Sequence, residues 1–156
     1  MFGFLKKESK GITAPVTGIC RDIADVNDKA FSSKAMGDGF AVEPESDTVV
    51  SPADGEIAML FPTGHAFGIT TKSGVEILVH IGIDTVSLNG EGFHALAKQG
   101  DKVKAGDPVI RVDREKLLEK GVDLTTMVIF TGGYDRPVET DCYGKRVEAG
   151  QTVLRD

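Results

Sequence analysis

Apolar residues in this chain come in short runs broken by glycine, and long amphipathic stripes are scarce. Seven runs read as strands: 40–43, 56–61, 67–71, 76–81, 108–112, 127–130 and 152–154. Turn signals separate them: Ala53-Asp54-Gly55, Thr63-Gly64, Lys72-Ser73-Gly74, Asn89-Gly90, Ala105-Gly106-Asp107, Gly132-Gly133 and Ala149-Gly150. Their Gly, Asn and Asp residues tolerate the backbone angles that tight turns need. In the most apolar run, 76–81, strand alternation puts Val79 and Ile81 on one face and Leu78 and His80 on the other. Helical patterning is limited. Residues 113–120 start at Asp113, a candidate N-cap, and stop at Gly121; a second short helix is expected over 27–33. Strands this short and this regularly interrupted predict an all-β sandwich or barrel with one or two short helices.

Two internal echoes narrow the choice. Pro15-x-x-Gly18-x-Cys20 is repeated as Pro52-x-x-Gly55-x-Ile57, each ahead of an apolar segment. Gly100-x-x-Val103-x-Ala105-Gly106-x-x-Val109 returns as Gly144-x-x-Val147-x-Ala149-Gly150-x-x-Val153. One strand–turn–strand unit used twice implies a pseudo-symmetric β-sandwich.

The length, 156 residues, suits one domain with a sizeable core. Residues 1–10 read as a flexible polar lead-in, and 11–156 as the single domain. Trp is absent, so the core rests on Val, Ile, Leu and Ala. The formal net charge of -6 and the lack of a basic run argue against nucleic acid and favour a basic protein surface as partner. Cys20 and Cys142 form neither a CxxC pair nor a zinc spacing, so both are expected to be reduced apolar residues. No run approaches the ~20 apolar residues of a membrane span. The start, Met1-Phe2-Gly3-Phe4-Leu5-Lys6-Lys7, is apolar then basic, the reverse of a signal peptide. It leaves a peripheral contact at the inner membrane face as an option for a cytoplasmic protein.

Candidate chemistry rests on histidine. His80 ends the apolar run, and His65 sits in the hairpin between 56–61 and 67–71. If 56–61, 67–71 and 76–81 are neighbours, both rings reach one rim of the sheet. Two close imidazoles suit a phosphohistidine relay, a metal site completed by further ligands, or acid–base hydrolysis; two unrelated histidines are the alternative. Thr63 is placed to orient His65. Asp38 and Asp84 are candidates for an acidic rim, with solvated or helix-capping carboxylates as the alternative; Phe61 and Phe67 read by default as core residues and are candidates for an apolar docking patch. His94 reads as a plain surface residue. Gly-x-Ser-x-Gly, His-Glu-x-x-His, P-loop and dinucleotide fingerprints are missing.

The blocks Gly37-Asp38-Gly39, Ser51-Pro52-Ala53-Asp54-Gly55, Phe61-Pro62-Thr63-Gly64-His65-Ala66-Phe67 and Val79-His80-Ile81-Gly82-Ile83-Asp84-Thr85-Val86 resemble the glucose-type enzyme IIA family of sugar phosphotransferase systems. The likeness continues through Leu88-Asn89-Gly90-Glu91-Gly92-Phe93 and covers about Ile12 to Leu154.

The resemblance implies an antiparallel β-sandwich with a duplicated motif. It implies that His80 is phosphorylated on Nε2, that His65 contacts the phosphoryl group, and that Thr63 positions the rings. It implies that the Gly82 carbonyl holds the other His80 nitrogen. A histidine-containing phosphocarrier would be the donor, and the cysteine of a permease IIB domain the acceptor. Asp38, Asp84, Phe61 and Phe67 would face such partners. The expected protein is a monomeric phosphotransferase component with no metal or organic cofactor, free-standing or a domain of a longer permease. Leu78 and Ile81 stand where enteric members often carry Phe, which likens the chain to Gram-positive IIA domains and separates it from the enteric regulators. The competing functions are a regulatory binder using the same face, with zinc shared by His65, His80 and a partner carboxylate, and a swinging-arm carrier or hydrolase on a related scaffold.

Overall fold

Among the described residues, 11–155 of the computed structural model, the glycine-punctuated runs become thirteen strands. In order these are β1 (Ile12–Thr13), β2 (Gly18–Asp22), β3 (Gly39–Pro44), β4 (Thr48–Val50), β5 (Gly55–Leu60), β6 (Ala66–Thr70) and β7 (Glu76–Ile81). They continue with β8 (Phe93–Ala95), β9 (Lys102–Val103), β10 (Pro108–Val112), β11 (Thr126–Gly132), β12 (Arg146–Val147) and β13 (Thr152–Leu154). Two helices, α1 (Lys29–Ser32) and α2 (Arg114–Glu119), match the two expected helical segments. The expected lead-in and its surface contact lie outside the described residues.

The strands make an antiparallel β-sandwich. Eight pair in the order β12-β2-β3-β11-β7-β6-β5-β9, three in the order β4-β10-β8, and β1 pairs with β13. The neighbours β5, β6 and β7 are those on which the two-histidine reading depended. All seven expected strands are present; the repeated strand–turn–strand unit also implied β9 and β12, whereas β1, β2, β4 and β8 are further strands that the apolar pattern did not signal.

The duplication is written into the backbone hydrogen bonds. Gly100 N–H donates to Ile57 and Gly144 N–H to Cys20, while Ile57 donates to Asp101 and Cys20 to Lys145. The two halves also cross-link reciprocally, Thr13 N–H to Pro52 and Val50 N–H to Pro15. Even a side-chain bond is doubled: Asp54 accepts from Ala105 N–H where Thr17 accepts from Ala149 N–H. The glycines of the echo, Gly100, Gly106, Gly144 and Gly150, have φ between 81° and 96°, a region that favours glycine.

Alternation divides the apolar residues between two layers. Phe40 and Val42 of β3, Ile77, Val79 and Ile81 of β7, and Val128 and Phe130 of β11 face the main core. The opposite faces of the same strands contribute Ala41, Met127 and Ile129 to a smaller cluster with Ile23, Val26 and Phe31, against which Leu78 and Ile83 pack. That second cluster exists because the connection from β2 through α1 folds over the sheet and drops Phe31 onto it. Burying one such phenylalanine is worth about 1.5–3 kcal/mol. The α1 turn is held by Asp28, whose carboxylate accepts from Ala30 N–H at 2.9 Å.

Asp113 occupies the N-cap position of α2 but makes no side-chain cap bond. Its carboxylate is taken instead by His94 and Arg111, each at 2.9 Å, so His94 is exposed but hydrogen-bonded.

Candidate active site

His80 lies on β7 between Ala66 of β6 and Met127 of β11. Strand parity turns it away from the main core, and the ring settles against Phe31, with centroids 4.9 Å apart. Beyond β7 the chain turns at Gly82, whose φ of 83° brings its own carbonyl back to 2.9 Å from His80 Nδ1. A carbonyl only accepts hydrogen bonds, so Nδ1 carries the proton and Nε2 keeps its lone pair. Glycine is required at this bend. A Cβ there would stand 2.5 Å from Thr85 Cγ2 and 2.8 Å from the Asp123 carbonyl oxygen.

His65 comes from the loop joining β5 and β6. That loop closes tightly: Gly64 N–H donates to Phe61, Phe61 N–H donates to Ala66, and Gly64 has φ 75°. The consequence differs from an open hairpin tip, because His65 is only 3% exposed. Its backbone carbonyl accepts from Ile81 N–H at 2.7 Å, which ties the loop to the end of β7. Its Nδ1 is hydrogen-bonded to the Thr63 hydroxyl. The His65 and His80 rings meet edge to face, with centroids 5.2 Å apart and planes 79° apart. Phe61 backs His65 in the same manner at 5.3 Å.

Burial pushes both imidazoles below their ordinary value of 6.5. At His80 the neighbouring His65 pushes the same way, while the Gly82 carbonyl, Asp28 and Asp84 oppose it. Both rings are therefore neutral at pH 7. Among the described residues, no group of three or more His, Cys, Asp or Glu side chains is gathered to hold a metal ion. His65 and His80 could give two ligands to a shared zinc, and a partner would have to give the rest.

The acidic rim differs from the sequence expectation. Asp84 is exposed beside the pair, in a left-handed conformation with φ 57°. Asp38 is elsewhere: its carboxylate accepts from Gly39 and Val138 N–H groups and pairs with Lys34, and its carbonyl holds Phe130. That is three residues along β11 from the Met127 row of His80. The second carboxylate felt by His80 is Asp28, a residue that sequence reading passed over. Its position at the start of the predicted helix over 27–33 was the available signal. Phe31 was missed likewise. Phe67 is a second correction. It pairs with Val79, lies in the main core and has 0% exposure, so no partner reaches it. Phe61 is half-buried.

Residues 10–135 match the family model for the phosphoenolpyruvate-dependent sugar phosphotransferase system, EIIA 1. A glucose-specific EIIA component of Halalkalibacterium halodurans is 45% identical over 143 residues, 92% of this chain and 83% of that protein. A glucoside-specific EIICBA component of Staphylococcus carnosus is 44% identical over 143 residues, and the chain spans 20% of its length. Among solved structures, the glucose permease IIA from Mycoplasma capricolum superposes with a TM-score of 0.85 at 40% identity, covering 98% of this chain and 97% of that one.

Proposed function

Since the chain belongs to the EIIA 1 family of the phosphoenolpyruvate-dependent sugar phosphotransferase system, and so is a phosphotransferase component, we propose that it carries the phosphoryl group on Nε2 of His80. The observation that supports this most is the bond from His80 Nδ1 to the Gly82 carbonyl. It fixes the tautomer whose free lone pair is on Nε2, and burial keeps that nitrogen unprotonated at neutral pH.

The transfer is an in-line displacement. The Nε2 lone pair forms a bond to phosphorus as the bond from phosphorus to the donor nitrogen breaks, and the electron pair of that bond returns to the donor. The Thr63 hydroxyl is bonded to Nδ1 of His65; in the tautomer this role requires, the hydroxyl donates and the His65 proton sits on Nε2. From there it is donated to a phosphoryl oxygen beside His80, where charge spreads in the transition state. No step calls on a metal or an organic cofactor. In the onward step a cysteine thiolate attacks phosphorus and the bond to His80 breaks, returning its electron pair to Nε2.

The donor is a histidine-containing phosphocarrier, and the acceptor is the cysteine of a sugar permease IIB domain. The naming of the Staphylococcus carnosus relative as an EIICBA component supports an acceptor of that kind. Asp28, Asp84 and the half-buried Phe61 form the rim that such basic partners meet, and Asp28 takes the place expected of Asp38. The chain works as a monomer in the cytoplasm. Among the described residues, no helix is long and apolar enough to cross a membrane.

The regiochemistry is tested by phosphorylating 15N-histidine-labelled protein and reading the 31P–15N coupling. Coupling to His80 Nε2 supports the assignment; coupling to its Nδ1 or to His65 contradicts it.

A further inference from the structure

The bend that aims the Gly82 carbonyl at His80 is itself held in an uneven way. Two peptide units flank Gly82. In the first, the N–H of Gly82 donates to the Thr125 carbonyl at 2.9 Å. In the second, the N–H of Ile83 donates to the Asp123 carbonyl at 2.9 Å, and the carbonyl of Gly82 receives His80 Nδ1. The remaining group, the Ile81 carbonyl, accepts from the Thr85 hydroxyl at 2.5 Å. Thr85 is thus the one side chain, besides His80 itself, that these bonds place on the four polar groups of the bend.

Its position gives that bond force. Thr85 opens the 3-10 turn Thr85–Leu88 and is fully buried, so the hydroxyl has no water to compete for it and the Ile81 carbonyl no alternative donor in solvent. Its methyl fills the space beside the Gly82 Cα, where a Cβ would come within 2.5 Å. Glycine at positive φ has little torsional preference of its own, so the direction of its carbonyl is set by such neighbours.

We propose that Thr85 is a positioning residue for His80: its hydroxyl pins the Ile81–Gly82 peptide, and so keeps the Gly82 carbonyl aimed at Nδ1. The proton is thereby kept on Nδ1 and the lone pair on Nε2. This rests on the reading of His80 as the phosphoryl acceptor, but it is a separate claim about the unphosphorylated ring.

The test compares Thr85→Val, which keeps the shape and loses the hydroxyl, with Thr85→Ser, which keeps the hydroxyl and loses the methyl. The primary readout is the 15N shift of both His80 ring nitrogens in folded, unphosphorylated protein at pH 8. In the wild type Nδ1 is expected to be pyrrole-like and Nε2 pyridine-like. Thr85→Ser should preserve that pattern. Thr85→Val should draw the two shifts toward a common value and slow phosphoryl acceptance by about tenfold, the scale of one buried hydrogen bond.

Wild-type nitrogen shifts in folded Thr85→Val would overturn the proposal even if stability fell, because a merely structural role leaves the tautomer alone. Should Thr85→Val not fold, Thr85→Ser decides: an unchanged tautomer supports the hydroxyl as the pin, and averaged nitrogens contradict it. Failure of His80 as acceptor would appear in the coupling experiment above and leaves this tautomer measurement intact.

Discussion

The rings of His65 and His80 stand edge to face with centroids 5.2 Å apart, and the backbone that carries them is stitched directly together, since the His65 carbonyl accepts from Ile81 N–H. The two imidazoles are therefore tied to one another through the backbone as well as through their rings. This gives the two residues unequal roles. His65→Gln keeps an N–H donor and should still accept phosphate. His65→Ala removes the donor and should slow transfer to the IIB cysteine by about 10²–10³-fold, the usual loss for one donor to a transition-state oxygen. Rapid-quench transfer from the phosphorylated variants measures it. Equal rates for His65→Ala and wild type would remove His65 from the chemistry.

Gly82→Ala probes the bend. The left-handed backbone alone costs about 1–2 kcal/mol for a residue with a Cβ, and the Cβ would also press on Thr85 and on the Asp123 carbonyl. Chemical denaturation should show at least that loss, and the folded fraction should accept phosphate poorly. Full stability with a normal rate would mean that the bend is more compliant than its geometry indicates.

Two carboxylates distinguish the observed rim from the expected one. Asp28→Asn preserves the cap on α1, because asparagine also caps, but removes a charge near His80. It should leave stability nearly unchanged and slow association with a basic donor, with a weaker dependence on salt. Asp38→Asn removes a charge held within its own chain by Lys34 and should leave association unchanged. Stopped-flow rates at several ionic strengths compare the two; a larger effect from Asp38→Asn would reverse the correction.

The pH dependence follows from both histidines being pushed below 6.5. A protonated Nε2 has no lone pair to give. Single-turnover phosphorylation should therefore be flat through neutral pH and fall in acid, with a midpoint below 6.5. Removing Asp84 or Asp28, which favour the charged ring, should move the midpoint further into acid. Stability follows the same sign. Below about 6.5 the unfolded histidines take up protons that the folded ones resist, so stability is lost as pH falls from 6.5 toward the folded values. A midpoint above 6.5 would contradict the burial argument.

How far the chain could be read in advance depended on the kind of signal. The run 76–81 was legible as β7 because alternation is local, and the same alternation placed His80 opposite Val79. The glycine echoes were legible because each turn needs positive φ at a fixed spacing. β2 was not, since Gly18-Ile19-Cys20-Arg21-Asp22 carries few strand-forming residues and gains its place by pairing with β3 and β12. Asp28 and Asp38 are both acidic and close in sequence, and only the crossing of α1 over the sheet decides which one His80 feels. Phe67 was misplaced for a different reason. Its register opposite Val79 puts it on the core face, and that register is a long-range fact.

The most direct test of the central claim is intact mass after incubation with phosphoenolpyruvate, enzyme I and the histidine-containing phosphocarrier. The wild type should gain one acid-labile phosphoryl group, and folded His80→Ala should gain none. No gain by wild type, with the upstream proteins active on a control IIA, or a full gain by His80→Ala, would contradict the assignment.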